Sequence, residues 1–514
     1  MTLTPPPRAS AIAIAVVCCS SLLVWFFPAF PTVDGSTHSL TAKLILDGFT
    51  GDPDPNIAVG SYWVPNALGH YALVALQLLL SPATAERALL FLILFGMGVG
   101  LFRLCQACGN RMPWAALLVL PFSYNFLLVM GFYNFLLGMV LALFVLAYAF
   151  RRDHPVGWTW AIFLVGSLVV LWCHAMAFFF LALVVAMHRS LLEIPRLANK
   201  AERFTALRAM TRTALLLLPG TILFFIFSSG QDTRWGTVNM DQNFKDLIDL
   251  RVLVLYAFDL ERPYVLFITA MLALLLIRSF QECSTVSMST LLKQPVTALF
   301  FSALLLLLLY FILPDSTGYA SFISQRLQLM FFLLLIGWIS VQLPYDRWSF
   351  AFLLVFLGVH FMRLKYMRHL MKPLAEQAMA IEDASLALPP GTNVLPINFE
   401  PEWLLGHQAT QLGLYNDLHV LENYECSMGY FPLIWRKDLP SPLYWHLMTA
   451  TDRQCFEWLK DYVDAKETPA MDQIALIGPV DSASCKAQNV LPILAAHYRQ
   501  TFDNGYVRVY SLKK

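Results

Sequence analysis

The chain has 514 residues, 58% hydrophobic and only 13% charged, with a formal net charge of +1 and a mean hydropathy of +0.60. Soluble domains carry about 25% charged residues, so an ordinary soluble protein is excluded, and the balanced charge gives no reason to expect a nucleic-acid partner. Apolar runs near the ~20-residue length that crosses a bilayer recur along the chain, which makes it a polytopic α-helical membrane protein with the lipid bilayer as its first partner.

The first apolar run, Ile12 to Phe30, lacks a small-x-small cleavage site, and Trp25-Phe26-Phe27-Pro28 reads as an interfacial anchor. It is expected to be a retained span. Residues 31–87 then form a long connection that begins Pro31-Thr32-Val33-Asp34-Gly35-Ser36-Thr37-His38. Thr37 to Asp47 predicts a short helix with Leu40, Leu44 and Ile45 on its apolar side. Gly51-Asp52-Pro53-Asp54-Pro55 predicts a turn, and Val64 to Leu80, with Asn66, His70 and Gln77, is either a poor span or an interfacial helix.

Further spans are expected at 88–104, 113–129, 133–150, 157–172, 174–188, 212–228, 262–279, 294–312, 327–342 and 348–363. Lys and Arg concentrate in cytoplasmic loops. The basic connections fall on one side with the N-terminus only if Val64–Leu80 does not cross. That gives eleven spans, the N-terminus inside and the C-terminus outside, with Arg363, Lys365 and Arg368 outside against the rule. The domains expected are 1–366, transmembrane with a first outside loop 31–87, and 367–514, an extracytoplasmic α/β domain.

Tyr124-Asn125-Phe126-Leu127-Leu128 and Tyr133-Asn134-Phe135-Leu136-Leu137 repeat one pattern around Gly131. They are either a packing repeat or two Asn side chains reaching one polar cavity. In the tail, Lys372 to Leu386 is amphipathic, and Val394–Ile397 and Ile474–Gly478 read as short buried strands. Thr451-Asp452 suits the N-cap of a helix over Cys455–Val463. Asp503-Asn504-Gly505 predicts a type I′ hairpin between Tyr498–Phe502 and Tyr506–Tyr510. Cys426, Cys455 and Cys485 lie in a region that permits disulfides, with the pairing open. Cys105-Gln-Ala-Cys108 stands alone, without the second pair of a metal site.

Asp34 and His38 are four apart, one face of a helix that starts early enough. A carboxylate there can take a proton from an acceptor hydroxyl or hold a divalent cation against a phosphate; it can equally be a helix cap. Asp52 and Asp54 form either a second acidic site or a rigid Asp-Pro turn. His174, in Trp172-Cys173-His174, interrupts two apolar runs, where a histidine faces the bundle interior or water; it is either structural or a hydrogen-bond donor.

An early outside loop that starts with an acid, interfacial helices after it, many further spans and a C-terminal extracytoplasmic domain together resemble the GT-C glycosyltransferases. The resemblance covers nearly the whole chain; its local motif is the single Asp-Gly-x-x-His at Asp34, without the paired acids many members show. It implies a membrane enzyme of the cell envelope that takes a sugar from a polyprenyl-phosphate donor to a glycan, lipid or protein acceptor outside. Asp34 would be its catalytic or metal-binding acid, His38 would assist, and a divalent cation (Mg or Mn) would have Asp34, Asp52 and Asp54 as candidate ligands. Arg326, approached by Asp315 to Tyr319, is the expected phosphate ligand, with Arg234 beside Trp235 as second choice; interfacial snorkelling is the alternative for both arginines. His174, Asn125, Asn134 and Tyr319 complete the substrate candidates. An outside tail without an N-x-S/T sequon fits a bacterial inner membrane. Two other classes stay open: a transporter or flippase, and a non-catalytic cell-envelope assembly protein.

Overall fold

The computed structural model describes residues 8–109, 112–151, 156–231, 234–283, 294–318, 320–449 and 455–513. Among them, nine helices are long and apolar enough to cross a membrane: Ala9–Phe26, Pro82–Ala107, Tyr133–Phe150, Ala175–Leu197, Arg203–Ser228, Phe258–Glu282, Pro295–Ile312, Ile323–Gln342 and Arg347–Ala387. Two shorter apolar helices, Trp114–Ser123 and Thr159–Cys173, lie where two more spans are expected. The chain divides into two compact units, one of Met1–Leu23 and Leu90–His369, the other of Val24–Leu89 and Leu370–Lys514.

In the first unit, the expected continuous span 113–129 is broken. A 3-10 turn over Pro113–Val119 leads into Leu120–Ser123, the chain opens at Tyr124 and Asn125, and Phe126–Val129 makes one further helical turn. The Asn125 side chain accepts from Leu128 N at 3.0 Å and donates to the carbonyls of Phe122 and Ser123, so it stabilises the break. Gly131 then turns the chain at φ +87° into Tyr133–Phe150.

Buried polar contacts fasten the same unit. Glu261 accepts backbone N–H groups from Leu255, Tyr256 and Ala257 at 2.7–3.2 Å. Its other partner is Arg363, 3.3 Å away, and both side chains are fully buried. Arg363 also donates to the carbonyls of Pro121, Tyr124 and Leu253. Of the three charges that break the loop-charge rule, Arg363 is therefore in an internal ion pair, while Lys365 and Arg368 are exposed. Asn243 and Tyr310 exchange bonds at 3.0 and 2.6 Å, and Gln328 holds Asp246 O and Val252 N, which ties the amphipathic helix Met240–Ile248 to two spans.

The second unit is built from two distant parts of the chain. Its strands are β1 (Ile57–Val59), β2 (Asn393–Asn398), β3 (His419–Val420), β4 (Leu433–Trp435), β5 (Gln473–Ile477), β6 (Tyr498–Asp503) and β7 (Val507–Leu512). A mixed five-stranded sheet runs β3-β2-β5-β7-β6, with β2 parallel to both neighbours and β7 antiparallel to β5 and β6. The apolar runs of β2 and β5 are buried, as strands covered on both faces require. Pro396 fits inside β2 because β3 pairs only with Asn393 and Val394, so no ladder bond on that side is lost. The β6–β7 hairpin closes at Gly505, the only one of the Asn-Gly pair at positive φ (+86°); Asn504 instead accepts the Val507 N–H through its side chain at 2.8 Å. Helix Leu459–Asp464 overlaps the second half of the expected 455–463 stretch and ends one residue beyond it, while its expected cap at 451–452 lies outside the described residues. Cys455 pairs with Cys485 at a Cα–Cα distance of 5.3 Å.

The first loop belongs to this second unit. Helix Gly35–Thr50 packs on the turn Gln408–Gly413. A Cβ at Gly413 would come within 2.7 Å of Leu40, so glycine sets that approach. β1 pairs antiparallel with β4, from Ile57↔Trp435 to Val59↔Leu433. The segment read as a poor span or an interfacial helix contains only the ten-residue helix Leu68–Gln77, about 15 Å long and half of what a bilayer core requires. The amphipathic stretch expected at 372–386 continues the last span without a break, as one 41-residue helix.

Candidate functional site

Asp34 sits at the N-cap of Gly35–Thr50, yet its side chain makes no capping bond. The helix is entered through the backbone, His38 N to Asp34 O at 2.9 Å, which leaves the carboxylate for another partner. That partner is His407, whose Nδ1 lies 2.8 Å from Asp34 Oδ1. Ser36 donates to His407 O at 3.0 Å and accepts from Thr410 at 2.9 Å, which holds the His407 turn against the start of the helix. The Tyr424 ring lies 4.5 Å from the imidazole.

The electrostatics follow from this packing. Burial opposes a charged His407, but the bond to Asp34 and the nearby charges of Asp34, Glu422 and Glu425 outweigh it, and the pKa is raised. Burial pushes the Glu422 carboxyl up to about 7, against the pull of His407 and Lys486. Burial and then the Asp34 and Glu425 charges hold the Tyr424 hydroxyl well above its usual range. A carboxylate hydrogen-bonded to an imidazole, beside a group that titrates near neutrality, is suited to accept a proton.

His38 points elsewhere. Its Nδ1 lies 2.5 Å from Glu425 Oε1 and 3.1 Å from His70 Nε2, and His70 Nε2 lies 3.0 Å from Glu425 Oε2. All three are buried, and among the described residues they form a group whose ligand atoms converge as a metal site requires. Burial alone would raise the Glu425 pKa, but the two imidazoles hold it well below the carboxylate range. Asp54 bonds His419 Nδ1 at 3.2 Å and caps the turn through Asn56 N at 2.8 Å, while Asp52 is exposed.

In the first unit, His174 and Arg326 share neighbours. His174 caps helix Ala175–Leu197: its Nδ1 accepts from Met176 N at 3.1 Å, so that nitrogen carries no proton. Its ring packs edge-on to Phe135 at 5.3 Å. The buried Arg326 guanidinium lies 4.5 Å from the Phe132 ring and 5.8 Å from that of Phe135, and reaches Met176 Sδ at 3.9 Å. Asn134 is buried on the same hairpin. Arg234 is exposed, and its carbonyl accepts from Gly318 N at 2.7 Å; Tyr319 lies outside the described residues. His407 and Glu425 carry no local sequence signal, and His70 shows only as a polar interruption of an apolar helix.

No family model matches the sequence, and no curated protein matches it. The structure is similar to that of ArnT from Cupriavidus metallidurans bound to undecaprenyl phosphate, at a TM-score of 0.53 and 10% identity, covering 98% of this chain and 96% of that one. At that identity the fold is what the two share. The chain thus shares the fold of that structure, with helices long and apolar enough to cross a membrane and a strand-containing C-terminal part.

Proposed function

We propose that the protein is a GT-C-type membrane glycosyltransferase that moves a sugar from a polyprenyl-phosphate donor to an acceptor hydroxyl. The observation that carries this reading is the Asp34 carboxylate, placed at the head of the first loop, unused as a helix cap and hydrogen-bonded to His407. The ArnT-like fold supports it, because that neighbour binds a polyprenyl phosphate.

In this reading Asp34 takes the proton of the acceptor hydroxyl as its oxygen attacks the anomeric carbon. The bond from that carbon to the donor phosphate breaks, and the polyprenyl phosphate leaves with the electron pair. His407, not His38, orients the base. Arg326 binds the donor phosphate, with the Nε2 side of His174 as a further donor and Asn134 and Arg234 as flanking polar groups. Arg326 rests on the faces of Phe132 and Phe135, and a planar guanidinium is the side chain whose geometry matches a phosphate. The Cys455–Cys485 disulfide supports an extracytoplasmic second unit, in a bacterial inner membrane.

A transporter is favoured by one observation, the broken segment at Tyr124 and Asn125. Membranes containing the protein, supplied with polyprenyl-phosphate-linked sugars and envelope acceptors, separate the two readings. Transfer that the wild type performs and Asp34→Asn does not supports the enzyme. Full transfer by Asp34→Asn, or sugar-lipid translocation without transfer, rejects it.

A further inference from the structure

We propose that His38, His70 and Glu425 form a binding site for one divalent transition-metal ion of the zinc class, independent of the reaction proposed above. Three observations carry it.

The first is convergence. His38 Nδ1, His70 Nε2 and Glu425 Oε1 lie between 2.5 and 3.1 Å from one another. Ligand atoms about 2.0–2.1 Å from one tetrahedral zinc ion stand roughly 3.3–3.4 Å apart, so the triad needs an opening of about 0.2–0.9 Å to admit the ion. Two imidazoles and a carboxylate form a donor set that suits zinc and its neighbours better than magnesium.

The second is the direction of the donors. His38 Nδ1 and His70 Nε2 face each other and one carboxylate, so two imidazole nitrogens and a carboxylate are turned toward a common point.

The third is the support around the ligands. Thr41 donates to Glu425 Oε2 at 2.5 Å and accepts from Asn423 at 3.1 Å, which fixes the carboxylate and turns Oε1 toward the imidazoles. Such outer bonds orient metal-ligating carboxylates. The Phe431 ring lies 5.7 Å from His70 and 6.4 Å from His38 and shields that side from water. His38 is 5% exposed, His70 1% and Glu425 not at all. The three ligands come from helix Gly35–Thr50, helix Leu68–Gln77 and the turn Tyr424–Ser427, so the ion would clamp both pieces of the first loop to the tail. Asp34 and Asp54 do not share this arrangement, since Asp34 is bonded to His407 and Asp54 to His419.

The test uses full-length protein without a histidine tag, purified in detergent, stripped with chelator and titrated with zinc(II) or cobalt(II). Elemental analysis is expected to find about one ion per chain, cobalt(II) to give the visible absorption of a low-symmetry site, and zinc(II) to restore a melting temperature that chelator lowers. His38→Gln, His70→Gln and Glu425→Gln are each expected to weaken binding at least tenfold, and Asp461→Asn, exposed on helix Leu459–Asp464, to leave it unchanged. A stripped wild type that binds neither metal and melts identically with and without zinc overturns the proposal, whether or not the variants fold. So does undiminished binding by all three ligand variants.

Discussion

Asp34 Oδ1 and His407 Nδ1 stand 2.8 Å apart across 373 residues of sequence. The contact converts a residue that reads as a helix cap into a carboxylate with an imidazole partner. Its first consequence concerns turnover. Asp34→Asn keeps the shape and removes the base, so transfer should fall by about 100-fold or more. His407→Gln should reduce transfer less and leave donor-lipid binding unchanged. Rates measured in membranes with equal amounts of folded protein check both; equal losses in the two variants would mean that His407 does more than orient.

Arg326 makes a separate prediction about lipid. If its guanidinium holds the donor phosphate, wild-type protein should copurify with polyprenyl phosphate and Arg326→Ala should not. Arg326→Lys should recover binding only in part, because an ammonium neither stacks on Phe132 and Phe135 nor chelates bidentately. Mass spectrometry of extracted lipid reads the result. Undiminished lipid in Arg326→Ala would remove this residue from the donor site.

The Glu261–Arg363 pair should be costly to break. Arg363→Met leaves Glu261 with its three backbone donors and should destabilise the first unit by about 3–5 kcal/mol. Glu261→Leu strands those three N–H groups and leaves the buried guanidinium charge with carbonyl partners alone, so it should lower the melting temperature in detergent further. The reverse order would show that the backbone bonds matter less than the ion pair.

Glu422 and His407 set a pH dependence. Both bind a proton more tightly folded than unfolded: Glu422 is raised to about 7, and His407 is raised above its ordinary value. The folded state therefore holds more protons than the unfolded one as pH rises from about 4.5 through neutrality, and stability falls across that window. Glu422→Gln should remove the Glu422 share, of the order of 1–3 kcal/mol between pH 5 and 8. Melting curves at both pH values test it; an unchanged slope would place the titration elsewhere.

What could be read from the sequence follows the range of the interactions. Span positions such as Tyr133–Phe150 depend on local apolar runs, and the β6–β7 hairpin depends on Asn-Gly, so both were legible. The break at 124–125 was not, although Pro121 and Asn125 were its signals, because the apolar count hid them. Long-range pairing was invisible. Nothing near Asp34 points to His407, and nothing near His70 points to Glu425, 355 residues away. His38 read as an assistant to Asp34 because four-residue spacing was the only geometry available, whereas its ring bonds to Glu425.

The two-part origin of the second unit bears on how the protein is made. Residues 90–369 are synthesised between its halves. Until the ribosome passes His407, the row Ser36, Thr37, His38 and Thr41 has none of the tail partners that bury it in the finished fold, and until Glu425 it has only some of them. The first loop is thus translated well before the segments that bury it. A nascent chain stalled in the late spans therefore leaves that polar helix without its cover, open to proteases and chaperones.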